Sequence, residues 1–321
     1  MGYNHYMSLN TDHLTLLFIG LVLNGLVAIP LINLLYRNKF YKTKTSDKVD
    51  TSKRNPNYYN HLLSNMDTPS SFGILLLLDL VFFQIFFGST QTLVLTVVLA
   101  VFTLLGFLDA VVKYFGYEKV KRWGLTTGQK LVSQFIIVVL LLYLISVPSL
   151  FILPFTLLFI VFITNSVNIV DGLDGLVGTL CMYIFPVLGY FEISSHNNVN
   201  LVNLVIILFS FLFVFLYFNI KPARVFLGDA GSMPLGFFIA FLGLRYNLIP
   251  IFVLFSLIIV DGLSSLIQMF SIRYLKRKVF VIAPLHLHLL NKGWADTKIV
   301  QRAGIIQLVL SFIAIYLFRV L

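Results

Sequence analysis

The sequence has few charged residues and only one cysteine. Just 11% of its 321 residues are charged, whereas a soluble domain would carry about a quarter. Hydrophobic residues make up 59% of the chain, and apolar stretches recur along its whole length, so no separate soluble domain is left over. Because Cys181 is alone, an intramolecular disulfide is impossible and a cysteine-based metal site has no support.

Apolar stretches that could cross a bilayer, each needing roughly 20 residues, recur ten times. They lie at 14–36, 69–88, 91–112, 131–147, 149–167, 175–191, 201–218, 231–244, 247–270 and 304–321. The first is expected to be a retained span, because no basic flank precedes it and no small-residue cleavage site follows it. The polar residues Arg245, Tyr246 and Asn247, followed by Pro250, divide 231–270 into two crossings. We predict an all-α integral membrane protein of about ten transmembrane helices, with residues 1–321 forming a single polytopic domain.

The positive charge is concentrated in four segments between the predicted spans. All of the 23 Lys and Arg residues except Arg245 and Arg319 lie in 37–54, 113–130, 221–224 and 273–302. With ten spans these segments fall on one side, so the positive-inside rule predicts cytoplasmic loops at 37–68, 113–130, 219–230 and 271–303, with both termini extracytoplasmic. The basic residues flank apolar spans and form no stripe on a polar face, so the net charge of +10 predicts membrane lipids, and no nucleic acid, as partners.

The densest polar cluster is Thr164 to Gly175. Asn165, Asn168, Asp171 and Asp174 recur every three residues, which would place them along one face if the helix continued through them. A helix cap followed by a turn is the alternative interpretation. Two carboxylates beside two carboxamides exceed what a cap needs, so this cluster indicates a functional site.

Two further clusters carry groups that suit phosphate or metal chemistry. Asp229, set between glycines at the start of a span, could be a helix N-cap or a hard oxygen ligand for Mg²⁺. His286 and His288 do not share a helix face but could converge from a loop, and phosphate contact is favoured over a zinc site. Ordinary loop histidines remain the alternative.

Three acidic residues in apolar segments are less informative. Asp109 and Lys113, four residues apart, could form a simple ion pair on a helix surface. Asp79 and Asp261 are interpreted as buried, structural carboxyl groups outside the site. The other acids, the histidines and the basic loops share one predicted membrane face, which favours an enzyme joining a soluble anion to a membrane-held substrate over a transporter with a midplane site.

The order of these motifs resembles that of the polyprenyl-phosphate hexosamine-1-phosphate transferases. The runs Asn-Ile-Val-Asp-Gly-Leu-Asp-Gly (168–175) and Phe-Leu-Gly-Asp-Ala-Gly-Ser (226–232) are typical of that superfamily. The run Pro-Leu-His-Leu-His (284–288), followed by Lys-Gly-Trp (292–294), is similar to the branch of phospho-N-acetylmuramoyl-pentapeptide transferases.

This resemblance implies a ten-helix homodimer in the bacterial cytoplasmic membrane with a Mg²⁺-dependent site facing the cytoplasm. Such an enzyme transfers phospho-N-acetylmuramoyl-pentapeptide from a UDP-linked amino sugar donor to undecaprenyl phosphate, a polyprenyl phosphate, giving lipid I and UMP. The implied roles are a magnesium ligand (Asp229), a base for the lipid phosphate (Asp109), nucleoside contacts (Lys113, Asp174, Asn219 and Phe226, the last stacking on uracil), contacts near the sugar or diphosphate (His286 and His288), and residues shaping the site (Asn168 and Asp171).

The chain departs from the family pattern at several positions. A second aspartate of the family is Ala110 here, the middle of three histidines is Leu287, and a usual basic residue is Asn65. The family's Thr-Pro-Thr-Met-Gly-Gly run reads Thr-Pro-Ser-Ser-Phe-Gly at 68–73. Two alternatives therefore accompany the expected activity: transfer from UDP-N-acetylglucosamine, and a catalytically impaired homologue with a binding role.

Overall fold

The computed structural model describes residues 3–38, 40, 56, 61, 67–119, 124–144, 153–195 and 198–321. The long elements within these ranges are α-helices. In chain order they are α1 (Tyr3–Arg37), α2 (Leu76–Phe86, preceded by a 3-10 turn at Phe72–Leu75), α3 (Thr90–Lys119), α4 (Thr127–Leu144), α5 (Leu153–Val170), α6 (Leu176–Ser195), α7 (Val199–Asn219), α8 (Asp229–Gly243), α9 (Leu248–Leu254), α10 (Ser256–Phe270, continued by a π-turn at Ser271–Leu275), α11 (Leu285–Asn291) and α12 (Asp296–Val320).

The all-α membrane architecture is confirmed. Seven described helices are long and apolar enough to span a membrane, and three shorter apolar helices lie at Phe72–Phe86, Pro154–Val170 and Asp229–Gly243. These helices coincide with the ten predicted apolar stretches. The predicted break near Arg245 is a turn between α8 and α9. The stretch predicted as one helix over 247–270 is interrupted at Phe255, which separates α9 from α10.

Some expectations fall on residues outside these ranges. Most of the predicted loop 37–68, including Asn65, and residues 120–123 of the loop 113–130 are not among the described residues. The side of the membrane on which each loop lies stays a prediction.

Helix α8 lies at the centre of the described bundle. It packs against α3, α5 and α6, and nearly every residue from Ala230 to Gly243 is buried. Gly106 allows α3 to pass close to the start of α8, since a Cβ at this position would collide with the backbone of Asp229 and Ala230. Asp109, three residues further along α3, is thereby brought beside Asp229.

Backbone hydrogen bonds between two connecting segments fix where α8 begins. The amide of Phe226 donates to the carbonyl of Pro69 (2.8 Å), and the amide of Phe72 donates to the carbonyl of Phe226 (3.1 Å). Gly228 follows with φ at 68°, in the left-handed region that favours glycine, and α8 starts at Asp229. The run at 68–73 therefore positions Asp229 through the backbone.

Candidate active site

An ion-pair cluster joins three helices at the start of α8. Lys130 of α4 lies between two carboxylates: its Nζ is 2.6 Å from Oδ2 of Asp109, and it also pairs with Asp229. Lys113, one turn after Asp109 on α3, places its Nζ 2.6 Å from the same oxygen of Asp109. The other Asp109 oxygen accepts the backbone N–H of Leu125 at 2.7 Å.

These four side chains differ in their access to solvent. The side chain of Asp109 is 2% exposed, whereas those of Lys130 and Asp229 are 16% and 19% exposed. Asp109 is thus enclosed by its lysine partners, and Asp229 lies at the open side of the cluster. Lys130 was not singled out by the sequence, because a lysine near the start of an apolar helix is typical of membrane proteins in general.

The turn between α5 and α6 carries the second group of predicted residues. The placement of these residues on one helix face required the helix to continue through Asp171, and it does not. Helix α5 ends at Val170, because a run of Asp and Gly residues favours a turn. Asp171 Oδ2 accepts the backbone N–H of Gly228 at 3.2 Å, and Asp174 Oδ2 accepts that of Ala223 at 3.2 Å. The aspartates therefore fasten this turn to the segment preceding α8, rather than lining one helix face.

Two predicted asparagines also connect the α5–α6 region to α8 and to the segment that precedes it. The Ser232 hydroxyl donates to Asn168 Oδ1 at 3.1 Å, which connects α5 to the first turn of α8. Asn219 at the end of α7 accepts the backbone N–H of Gly175 at 2.9 Å and donates to the carbonyl of Val225 at 2.9 Å. Asn165 is bonded to Gln134 instead, away from these contacts.

The two histidines lie on a short helix, α11, and do not converge from a loop as one interpretation allowed. His286 is buried, and its Nδ1 is 2.6 Å from Oδ2 of Asp261. The His288 ring lies near Phe280, with ring centroids 5.9 Å apart. Leu287, between them, packs against the hydrophobic core.

Asp261, Asp79 and Phe226 are all buried. Asp261 was interpreted as structural, but the structure joins it to His286; an acidic residue within an apolar helix was the signal that could have identified it. Asp79 is fully buried and accepts a hydrogen bond from Asn24 Nδ2 at 2.9 Å, while its other oxygen has no partner among the described residues, so its structural role stays a prediction. Phe226 is 4% exposed, between the two backbone bonds described above.

Several predicted site residues carry a buried polar atom without a hydrogen-bond partner. Among the described residues they include Asp174 Oδ1, His286 Nε2 and His288 Nδ1. Leaving a buried polar atom unpaired costs about 1–3 kcal/mol, so a polar ligand is the natural partner for them. With ammonium groups, carboxylates and imidazoles together, the arrangement can bind an anion and a cation at once.

Comparison with known proteins gives a consistent result. Residues 92–247 match the model of glycosyl transferase family 4. The chain is 33% identical over 309 residues to the phospho-N-acetylmuramoyl-pentapeptide-transferase of Dictyoglomus turgidum, covering 90% of this chain and 94% of the relative. Proteins with that name from Clostridium perfringens (35% identity, 66% and 71% covered) and Petrotoga mobilis (30% identity, 82% and 87% covered) are also similar.

Proposed function

The chain belongs to the family of phospho-N-acetylmuramoyl-pentapeptide transferases, and we propose that it transfers phospho-N-acetylmuramoyl-pentapeptide from its UDP-linked donor to undecaprenyl phosphate. The products are UMP and lipid I, a precursor of peptidoglycan. Relatives that cover most of the chain support a membrane-embedded phospho-sugar transferase with a polyprenyl phosphate acceptor.

The meeting of Asp109, Lys130 and Asp229 supports this function most directly. Three helices bring two carboxylates to one ammonium group, beside a turn in which one oxygen of Asp174 lacks a partner. A transferase that joins two phosphate esters needs cationic groups to reduce the repulsion between them and carboxylates to hold a divalent ion. Both are present within one connected cluster.

A magnesium ion fits the donor set at Asp229. The described residues hold no group of three or more metal-ligating side chains. Mg²⁺ nevertheless needs only one or two carboxylates when substrate phosphates complete its shell. The Asp229 carboxylate is partly exposed and already pairs with a cation, the ammonium group of Lys130. When bound, Mg²⁺ would neutralise the charge of the donor diphosphate as UMP leaves.

The remaining steps follow from the chain's own residues. An oxygen of the lipid phosphate attacks the β-phosphorus, and the bond to the UMP oxygen breaks. Asp109, which lies between Lys113 and Lys130, is the proposed base for an acceptor phosphate that carries a proton. Lys130 orients the phosphates and Lys113 contacts the nucleoside, while Asn168, Asp171 and Asn219 hold the turn and the start of α8 in register.

The proposal also covers the uridine contact, the membrane in which the enzyme lies and the side to which its site faces. Asp174, with one oxygen unpaired, and Phe226 lie on the segments nearest Asn219 and Asp229, where a uridine contact is proposed. We place the enzyme in the bacterial cytoplasmic membrane as a homodimer, with the site facing the cytoplasm. The basic segments between spans support that orientation.

Purified protein supplied with UDP-MurNAc-pentapeptide, undecaprenyl phosphate and Mg²⁺ should release UMP. Asp229→Ala should lower the rate by about 100- to 1,000-fold, the usual loss for one group that stabilises the transition state. Glu192→Gln, which alters a buried carboxylate at the far end of α6, is the control and should keep the rate per folded molecule.

Three results would contradict parts of this proposal. Full activity of the Asp229 variant would remove the metal assignment. Preference for UDP-N-acetylglucosamine in a competition assay would identify the sister activity. Nucleotide binding without turnover would indicate an impaired homologue, in which Ala110 and Leu287 replace the family's carboxylate and imidazole.

A further inference from the structure

Asp261 and His286 form a buried carboxylate–imidazole pair that connects α10 to α11. We infer that Asp261 is a positioning residue: it fixes the His286 ring so that Nε2 faces the α5–α6 turn and contacts a phosphate of the donor. This inference rests on the proposed function, because that function supplies the phosphate.

Both oxygens of Asp261 are used by the same residue. Oδ2 lies 2.6 Å from Nδ1 of His286, and Oδ1 accepts the backbone N–H of His286 at 3.1 Å. An ionised carboxylate can only accept hydrogen bonds, so Nδ1 carries the proton. Nε2 is then the lone-pair nitrogen of the neutral ring, or the second N–H donor of the protonated ring.

The direction of Nε2 follows from its surroundings. This nitrogen is buried and has no hydrogen-bond partner within the described residues. It points at Gly172, where an added Cβ would collide with it. Gly172 lies between Asp171, which is bonded to the residue before Asp229, and Asp174, which has an unpaired oxygen. Nε2 therefore faces the turn that carries Asp171 and Asp174.

The rest of the α10–α11 connection holds this geometry in place. The hydroxyl of Ser264, three residues after Asp261, accepts the backbone N–H of Leu285 at 2.9 Å. Gln268 Oε1 accepts the backbone N–H groups of Val279 and Phe280, at 3.1 and 3.0 Å. Side chains on one face of α10 therefore accept hydrogen bonds from backbone N–H groups of the segment that leads to His286. Among these contacts, the one with Asp261 also includes a side chain, the His286 ring, that reaches the α5–α6 turn.

Asp261→Asn tests the role, because asparagine has the same shape but offers one acceptor where aspartate offers two. The backbone N–H of His286 cannot give up its donor role, so the Asn oxygen is expected to accept it and the Asn NH2 to face Nδ1. An NH2 group donates to an unprotonated Nδ1, so the preference for the Nδ1-protonated ring should be lost. Loss of such a supporting contact typically lowers activity about 10- to 100-fold. We expect kcat to fall by this factor. The thermal midpoint of Asp261→Asn should stay close to that of the wild type.

Asp79→Asn is the matched control. Asp79 is also a buried carboxylate bonded to a single neighbour, Asn24, but it lies among apolar helices and contacts no predicted site residue. This variant should keep kcat per folded molecule even if its thermal midpoint changes. The double variant Asp261→Asn/His286→Gln should be no slower than His286→Gln alone, since the two residues act as one unit.

Nitrogen-15 NMR of histidine-labelled protein gives a reading that does not depend on turnover. The chain has six histidines, so the His286 signals can be assigned by their loss in His286→Gln. The wild type should show an Nδ1-protonated ring whose Nε2 signal shifts when UDP and Mg²⁺ are added; Asp261→Asn should show neither feature.

An unchanged ring signal in Asp261→Asn, no Nε2 shift with UDP, or additive effects in the double variant would overturn the positioning role. A wild type that releases no UMP but shows the expected signals and UDP shift would overturn the proposed transfer reaction and leave the positioning role supported.

Discussion

Helices α6 and α8 begin in one region of the molecule and end in another. Both regions bury ionisable groups, but they differ in how completely those groups are hydrogen-bonded. At one end, the start of α8 and the turn before α6, Asp174 and His286 keep unpaired buried atoms. At the other end, Glu192 is fully buried and both of its oxygens accept hydrogen bonds from Arg245, at 3.1 and 3.2 Å, while Tyr246 also donates to it.

This difference separates a binding role from a structural one. The Glu192 cluster satisfies its own carboxylate, so it needs no ligand and serves to join the ends of α6 and α8. Near the start of α8, glycines let segments approach closely, and the unpaired atoms of Asp174 and His286 leave hydrogen-bonding capacity that a substrate could use. Substitutions at the first end should change stability, and those at the second should change activity.

The largest effect is expected from Lys130→Met. This change leaves Asp109 and Asp229 facing each other without the ammonium group between them. We expect kcat/KM to fall by about 100- to 1,000-fold, in the range of lost electrostatic stabilisation of a transition state. Steady-state UMP release measures it.

Lys113→Met is the matched variant for this test. Its side chain is 35% exposed and, among the described residues of the site, forms an ion pair with Asp109. Its loss should cost clearly less activity than the loss of Lys130. Equal losses for the two lysines would contradict the central place of Lys130.

Arg245→Ala tests the opposite end. It removes the bidentate partner of Glu192, and leaving a buried charge unpaired costs about 3–5 kcal/mol. We expect a lower thermal midpoint in detergent, with turnover per folded molecule unchanged. A fall in turnover that exceeds the loss of folded protein would show that the two ends are coupled, and the comparison would fail.

Tyr246→Phe should have the smallest effect, about 1 kcal/mol for one lost hydrogen bond. Burial first, and then the neighbouring Glu192, raise the pKa of the Tyr246 hydroxyl above its ordinary value. The protonated phenol is therefore favoured in the folded state, and its stabilising contribution is present below the unfolded-state pKa of about 10 and is lost as the pH rises above it. The difference in thermal midpoint between wild type and variant should shrink above about pH 10. A difference independent of pH would contradict this assignment.

The sequence predicted the helical membrane architecture and most of the candidate site. Long apolar stretches with basic flanks have few structural solutions in a bilayer, because every backbone polar group must be satisfied within the segment. The clusters around Asp171, Asp229 and His286 were visible for the same reason, since polar residues among apolar spans are costly without a use.

The sequence also left specific gaps. The break at Phe255 was not predicted, because its flanking residues are as apolar as those of an unbroken span. Lys130 and Asp261 were assigned no functional role, since their importance depends on neighbours far away in the chain: Asp229 is 99 residues from Lys130, and His286 is 25 residues from Asp261.

Composition and charge distribution by themselves determined that this chain crosses a membrane many times and carries acids and imidazoles between its spans, because transfer free energies depend mainly on residue type. Only the tertiary structure decided which of these groups meet. Contacts such as Lys130 between Asp109 and Asp229 depend on the close approach of α3 to α8 at Gly106 and on the turn at Gly228, and packing at that scale is not encoded in local patterns.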